Sequence, residues 1–270
     1  MHEFVDETFQ PETTGEKILS IQASLNGFSF SIVCPNQRKL LYFKDIALKI
    51  SNANLLARHF ESLFAEETIL QNNYHKIFLV YHSRNFTLIP EQFYQDNIDQ
   101  NITPLLFEQN EQANWMNNKI AGVNGELLFA IPESFQQALN KRLPSAQIIH
   151  PLYRIIEQTG ISDAAPKLLL LFGTDHFSLA LFGQNELKLI NNFSFKHPND
   201  VVYFVLTVLR QFSISAKDIT VQFAGNTKAH AGLEDVLQKH FSQPASINAE
   251  IALPPFIDKA LITKNISLFL

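Results

Sequence analysis

Residues 17–33, KILSIQASLNGFSFSIV, and residues 167–182, KLLLLFGTDHFSLALF, decide how this chain is read. Each starts at a lysine, runs through an apolar strand into a polar turn, and leaves on a strand in which apolar and polar residues alternate. With a one-residue gap in the turn, Lys17 aligns with Lys167 and Phe28-Ser29 with Phe177-Ser178. The first turn spans Ser24–Gly27 and the second centres on Gly173-Thr174-Asp175-His176. Self-similarity across the two halves of a chain points to a duplicated unit.

The parallel extends outward from the hairpins. A third strand is predicted at Lys39–Lys44 in the first half and at Glu186–Phe195 in the second. A helix follows in each. Ser51 or Asn52 can cap a stripe of Leu55, Leu56, His59, Phe60, Leu63 and Phe64. Asn199 can cap Asp200–Phe212, with Val201, Phe204, Val205, Val208, Leu209 and Phe212 at helical spacing. Buried-type strands come next, Lys76–Ser83 and Asp218–Gly225, and Gly232–Phe241 reads as a further amphipathic helix. Strand, strand, strand, helix, strand thus recurs in one order. Such alternation is also common in α/β chains that are not duplicated.

The middle of the chain fills out the first lobe. Asn114–Ile120 and Glu126–Ile131 are predicted strands, and Pro132 introduces a helix at Glu133–Leu143. Gln147–His150 is a short strand, and Pro151–Thr159 a helix with Gly160 at its C-cap. Gln95–Asn114, rich in Asn, Gln and acids, reads as a surface loop. Asp163-Ala-Ala-Pro166 is the linker candidate, dividing the chain into lobes at 1–163 and 164–270. The apolar tail from Ser246 to Leu270 is expected to dock on the second lobe as a helix or strand.

The 270 residues are 46% hydrophobic and include 24 phenylalanines, enough for a core that needs no covalent staples. The one cysteine, Cys34, ends a predicted strand and reads as a buried thiol. A single cysteine fits a reducing compartment, and the acidic N-terminal residues are not a signal peptide, so the expected location is cytoplasmic. A net charge of −5 lacks the basic field of a nucleic-acid surface. No apolar run is long enough to span a membrane.

Three antiparallel strands, a crossover helix, a parallel strand and another helix, all duplicated, resemble the actin-like ATPase superfamily. That superfamily includes actin, sugar kinases, the large heat-shock chaperones, and cell-division and pilus-assembly relatives. More narrowly, the chain resembles an uncharacterised bacterial family of about this length. The resemblance covers roughly residues 15–245 and implies an α/β fold of two ribonuclease-H-like lobes. It also implies a nucleotide between the lobes, held by the first hairpin turn of each and by a loop after the second lobe's fourth strand. The residues at those places are Asn26 and Gly27, then Gly173, Thr174 and Asp175, then Gly225 and Asn226. In the superfamily an Asp ends the first strand and holds Mg²⁺ through water, while glycines let backbone N–H groups approach phosphate. Here the first turn has no Asp, the second has its Asp after the Gly, and the last loop has one Gly where two are usual.

Other chemistry has no foothold. Walker, dinucleotide, His-Glu-x-x-His and Gly-x-Ser-x-Gly motifs are all missing, so no catalytic or metal residue is assigned. Asp175-His176 reads as a turn pair, since neighbours in a strand point to opposite faces. His82 and Ser83 read as a satisfied strand end. Degraded loops on a duplicated frame suggest a non-catalytic module that binds a protein partner or a second copy. Trp115, Phe107, Phe93 and Tyr94 are candidate docking aromatics, although a core role is the usual fate of such residues. The alternative is an ATP-binding switch or kinase-like phosphotransferase, with Mg-ATP in the interlobe cleft.

Overall fold

The computed structural model describes residues 2–93, 98–107, 112–159 and 165–270, with residues 98–100 described by their backbone alone. The first half runs β1 (His2–Val5), β2 (Ile18–Ser24), β3 (Gly27–Cys34), β4 (Lys39–Ala47), α1 (Ala53–Glu66) and β5 (Lys76–Tyr81). It continues through β6 (Phe86–Pro90), α2 (Ile98–Leu106), β7 (Ala113–Lys119), β8 (Gly125–Pro132), α3 (Glu133–Arg142), β9 (Gln147–Ile149) and α4 (Pro151–Thr159). The second half is β10 (Lys167–Phe172), β11 (His176–Gly183), β12 (Glu186–Ser194), α5 (Pro198–Gln211), β13 (Thr220–Gly225), α6 (Leu233–His240), β14 (Ala245–Ser246) and α7 (Lys259–Lys264).

Two sheets carry the duplication. The first has the order β1-β4-β3-β2-β5-β9, the second β12-β11-β10-β13-β14. In both, the hairpin strands and the third strand are antiparallel, and the strand after the crossover helix pairs parallel with the first. The register repeats as well. With Phe28 aligned to Phe177, the bulge between Ile32 and Val33 against β4 falls on the bulge between Leu181 and Phe182 against β12. A bulge twists a strand locally, so its recurrence gives both lobes the same curvature. A third, antiparallel sheet, β6-β8-β7, is inserted in the first lobe between β5 and β9.

The helices form where their stripes and caps predict. Asn52 caps α1, its Oδ1 accepting from Leu55 N at 3.0 Å, and Leu56, Phe60, Leu63 and Phe64 are buried. α5 starts slightly before the expected cap at Asn199. Pro198 occupies the first turn, where its fixed φ suits a helix. The Asp200 carboxylate accepts from His197 N at 2.9 Å and Lys196 N at 3.0 Å, so the chain is turned before Asn199 is reached.

Two expectations are overturned. Residues 98–106, placed in a surface loop, form α2: Ile98, Ile102, Leu105 and Leu106 recur at helical spacing beneath a polar composition. The tail also crosses to the other lobe. Leu268 and Phe269 are buried with Val33, Leu40, Phe43, Phe78, Val80 and Ile149 on one face of the first sheet. Only α7 also rests on the second lobe, against β13 and the short turn at Thr227–Ala229. Gly160 and the linker residues Asp163 and Ala164 lie outside the described residues.

The tail explains an oddity of the first hairpin. Alternation puts Leu19, Ile21, Ala23, Phe28, Phe30 and Ile32 on the face packed by α1. The opposite face carries Ser20, Gln22, Ser29, Ser31 and Asp45, the signature of a water-facing side, yet all are buried. The tail satisfies four of them. Asp45 accepts from Ser29 Oγ at 2.6 Å and from Lys264 Nζ at 2.9 and 3.0 Å. The Gln22 amide donates to Asn265 Oδ1 at 3.1 Å and accepts from Ser267 Oγ at 2.7 Å, while Ser31 Oγ donates to the Leu268 carbonyl at 3.0 Å.

Candidate functional site

The lobes meet at a cleft of about 1060 Å³, walled by the turns after β2 and β10, the segment after β5, and the inserted sheet. The β2–β3 turn is only Leu25 and Asn26, because Ser24 and Gly27 already pair. Asn26 Nδ2 donates to Thr174 Oγ1 at 2.7 Å, so the two duplicated turns touch across the lobes. Of the residues the sequence proposed, Asn26, Gly173 and Asn226 line the cleft. Thr174 joins through Asn26, whereas Gly27, Asp175 and Gly225 stand behind the cleft wall.

The glycines are explained by the protein's own atoms. Gly27 has φ +120, and a Cβ there would sit 2.1 Å from the Ile46 carbonyl oxygen. At Gly225, with φ +93, a Cβ would sit 2.2 Å from the Phe172 carbonyl oxygen. Both are close approaches between neighbouring strands. At Gly173 the space is filled by a ring: a Cβ would lie 2.3 Å from His176 Cε1. Gly173 N donates to the His176 carbonyl at 2.8 Å, and its own carbonyl lies 2.9 Å from His230 Nε2. The amide that would greet an anion is therefore already bonded.

Asp175 is engaged by the other lobe. Its carboxylate meets both terminal nitrogens of Arg84, at 3.0 and 2.5 Å. His176 Nδ1 lies 3.1 Å from the same carboxylate, so the neighbours do interact, contrary to the extended-strand expectation. The turn bends the backbone at Asp175, which lets both side chains converge. Partial burial works against the charge on Asp175, but the His176 hydrogen bond and the Arg84 guanidinium outweigh it and hold the carboxyl below its ordinary range. Burial likewise pushes His176 below the usual histidine value. Sequence reading missed Arg84, which stands alone in the loop after β5 with no motif around it.

Behind the clamp, two histidines are held neutral. His150 precedes α4, and its Nδ1 accepts from Leu152 N at 3.2 Å. Its Nε2 must therefore carry the proton it donates to the Ser83 carbonyl at 3.0 Å. Burial lowers His150 to about 4 and His82 to about 3. His82 was read as a satisfied strand end, yet its buried Nε2 has no hydrogen-bond partner. Lys264 also reaches the cleft wall, anchored on Asp45.

This donor set does not fit a magnesium nucleotide. Where the superfamily places its Asp, β2 ends in Gln22 and Ser24, and the Gln22 amide is engaged on both sides by the tail. Asp175 is neutralised by Arg84, and Glu133 is the one carboxylate in the cleft wall. Among the described residues no group of three His, Cys, Asp or Glu could hold a metal ion. No helix of the described residues is long and apolar enough to cross a membrane.

Comparison with known proteins agrees with the geometry of the frame. A Bacteroides thetaiotaomicron protein with actin-like ATPase fold and unknown function superposes with a TM-score of 0.76, at 22% identity over 89% of this chain and 94% of that one. The PilM–PilN type IV pilus biogenesis complex matches with a TM-score of 0.57, at 12% identity over 96% of this chain and 97% of that one. The ethanolamine utilization protein EutJ of Carboxydothermus hydrogenoformans gives 0.53, at 6% identity over 96% and 91%. No curated protein is significantly similar in sequence. A family model described as a protein of unknown function, DUF3822, matches residues 6–243. With the duplicated sheets and these superpositions, the chain has the actin-like ATPase fold and belongs to the DUF3822 family.

Proposed function

We propose that this protein is a non-catalytic actin-like module whose work is to bind another protein. The observation that carries the reading is the wiring of the second hairpin turn. Gly173 N–H is bonded within the turn, the His176 ring covers the glycine, and Arg84 holds Asp175. Phosphoryl transfer relies on positioned charge and open backbone donors, and in this turn both are engaged by the protein itself. The PilM relative is found in a complex with PilN, so this fold is compatible with a partner-binding role.

Thermal unfolding with and without millimolar Mg-ATP tests the reading. A ligand at 100 times its dissociation constant adds about 2.7 kcal/mol of stability. We expect no shift. A clear rise would instead support the switch reading, with Asn26, Gly27, Gly173, Thr174, Asp175, Gly225 and Asn226 around the nucleotide.

A further inference from the structure

The mouth of the cleft is apolar in a way its floor is not. On α2, Leu105 and Leu106 are 81% and 54% exposed, and no other element packs along this helix among the described residues. Leu106 lines the cleft together with Phe107 and Trp115, whose rings lie 5.2 Å apart. Leu25, at the tip of the first hairpin, is the exposed apolar residue of the cleft's opposite wall. An exposed cluster of large apolar side chains beside a cleft is a recurrent mark of a docking surface.

Charge selects the partner. Residues 91–112 hold five acidic residues and no Lys, Arg or His. Within the stretch Glu91 is answered by Lys119 at 3.5 Å. Glu133 adds a carboxylate to the cleft wall. The two cations there, Arg84 and Lys264, already face Asp175 and Asp45. The apolar ledge thus sits in an acidic setting. A second copy would bring the same acidic stretch against itself, and an anionic membrane would be repelled.

We infer that α2 and the cleft mouth dock a basic, amphipathic peptide segment of another protein. Its apolar side chains would rest on Leu105, Leu106 and the Phe107–Trp115 pair, and its Lys or Arg side chains would answer the acidic stretch. Apolar anchors supply affinity in such grooves, while opposite charge supplies rate and discrimination. This inference rests on the protein-binding reading above and names the face and the chemistry of the partner.

The test is fluorescence anisotropy of the full chain with a labelled, roughly 14-residue amphipathic peptide of Leu and Lys, long enough to form a helix on docking. A Leu/Glu peptide of the same pattern and a Ser/Lys peptide of the same charge are the comparators. We expect saturable binding of the Leu/Lys peptide only, weakened by salt and about tenfold or more by Leu105→Glu with Leu106→Glu. Because both side chains are exposed, the variant should keep the parent unfolding temperature. Equal binding of either comparator, or undiminished binding by the variant, overturns the inference. So does α2-dependent adsorption to vesicles of phosphatidylcholine with phosphatidylglycerol. Loss of binding at Phe256→Glu or Tyr203→Glu, with Leu105→Glu silent, would move the partner face and leave the protein-binding reading standing. Stabilisation by Mg-ATP would strike that reading itself.

Discussion

Arg84 and Asp175 join the two lobes through a two-toothed ion pair, with nitrogen–oxygen distances of 3.0 and 2.5 Å. Arg84 comes from the loop between the first and third sheets, and Asp175 from the hairpin turn of the second. Beside it, Asn26 and Thr174 meet at 2.7 Å. The width of the cleft is therefore set by side chains from both lobes.

Both members of that pair are about half exposed, at 49% and 56%. Exposed ion pairs contribute at most about 1 kcal/mol. Arg84→Ala should leave thermal stability almost unchanged while loosening the lobes. Hydrogen exchange should rise at residues 173–176 and 84–86 in the variant. Unchanged protection there would show that the pair does not set the cleft.

Gly173→Ala places a methyl where the His176 ring lies. Overpacking of this kind costs about 1–3 kcal/mol. Urea unfolding should show that loss, and most of it should vanish when His176→Ala is added, because the second change empties the contested space. Additive losses would mean that the ring is not what requires glycine.

Asp45 is buried, which favours its neutral form, but the hydrogen bonds from Lys264, Ser29 and Asn265 outweigh burial and hold its carboxyl below the ordinary range. The resulting stability is present above the unfolded value of about 3.9 and is lost as pH falls through the lower folded value. Lys264→Met leaves the carboxylate buried without its cation and should cost about 3 kcal/mol at neutral pH. Measured as a function of pH, the penalty should shrink below about pH 4, where Asp45 can protonate in the variant.

His150 works the opposite way. Held at about 4 by burial, it stays neutral in the fold and gains its proton on unfolding. Stability from this site is complete above the unfolded value of about 6.5 and declines as pH falls towards the folded one. Denaturant midpoints between pH 7 and 4 should slope downward on acidification, and His150→Gln should flatten that slope. An equally steep slope in the variant would assign it to other groups.

Phe269 is fully buried, with its ring centroid 5.2 Å from that of Phe43. Phe269→Ala should destabilise the chain by about 3–5 kcal/mol, the usual cost of emptying an aromatic core site. A near-neutral result would show that the tail is not part of the first lobe's core.

Several details were legible before the fold was known because they are local. The hairpins, Asn52 as a cap and the stripe of α1 depend on residues a few positions apart. α2 was also encoded locally, by Ile98, Ile102, Leu105 and Leu106, but its polar neighbours drew the reading towards a loop. The candidate site was legible as a place and not as a set of contacts. Turn residues could be located by aligning the two hairpins. Their partners, Arg84 for Asp175 and Asn265 for Gln22, lie far along the chain, where spacing carries no signal.

By itself the sequence determined the duplicated strand order, since the alternation of residues in KILSIQASLNGFSFSIV and KLLLLFGTDHFSLALF is a property of neighbouring side chains. Only the tertiary structure decided which lobe the tail covers, because an apolar segment states that it must be buried and not where. It also decided what the turns can do. Gly173 looks the same in sequence whether a phosphate or a histidine ring lies against it, and here the space is occupied by His176.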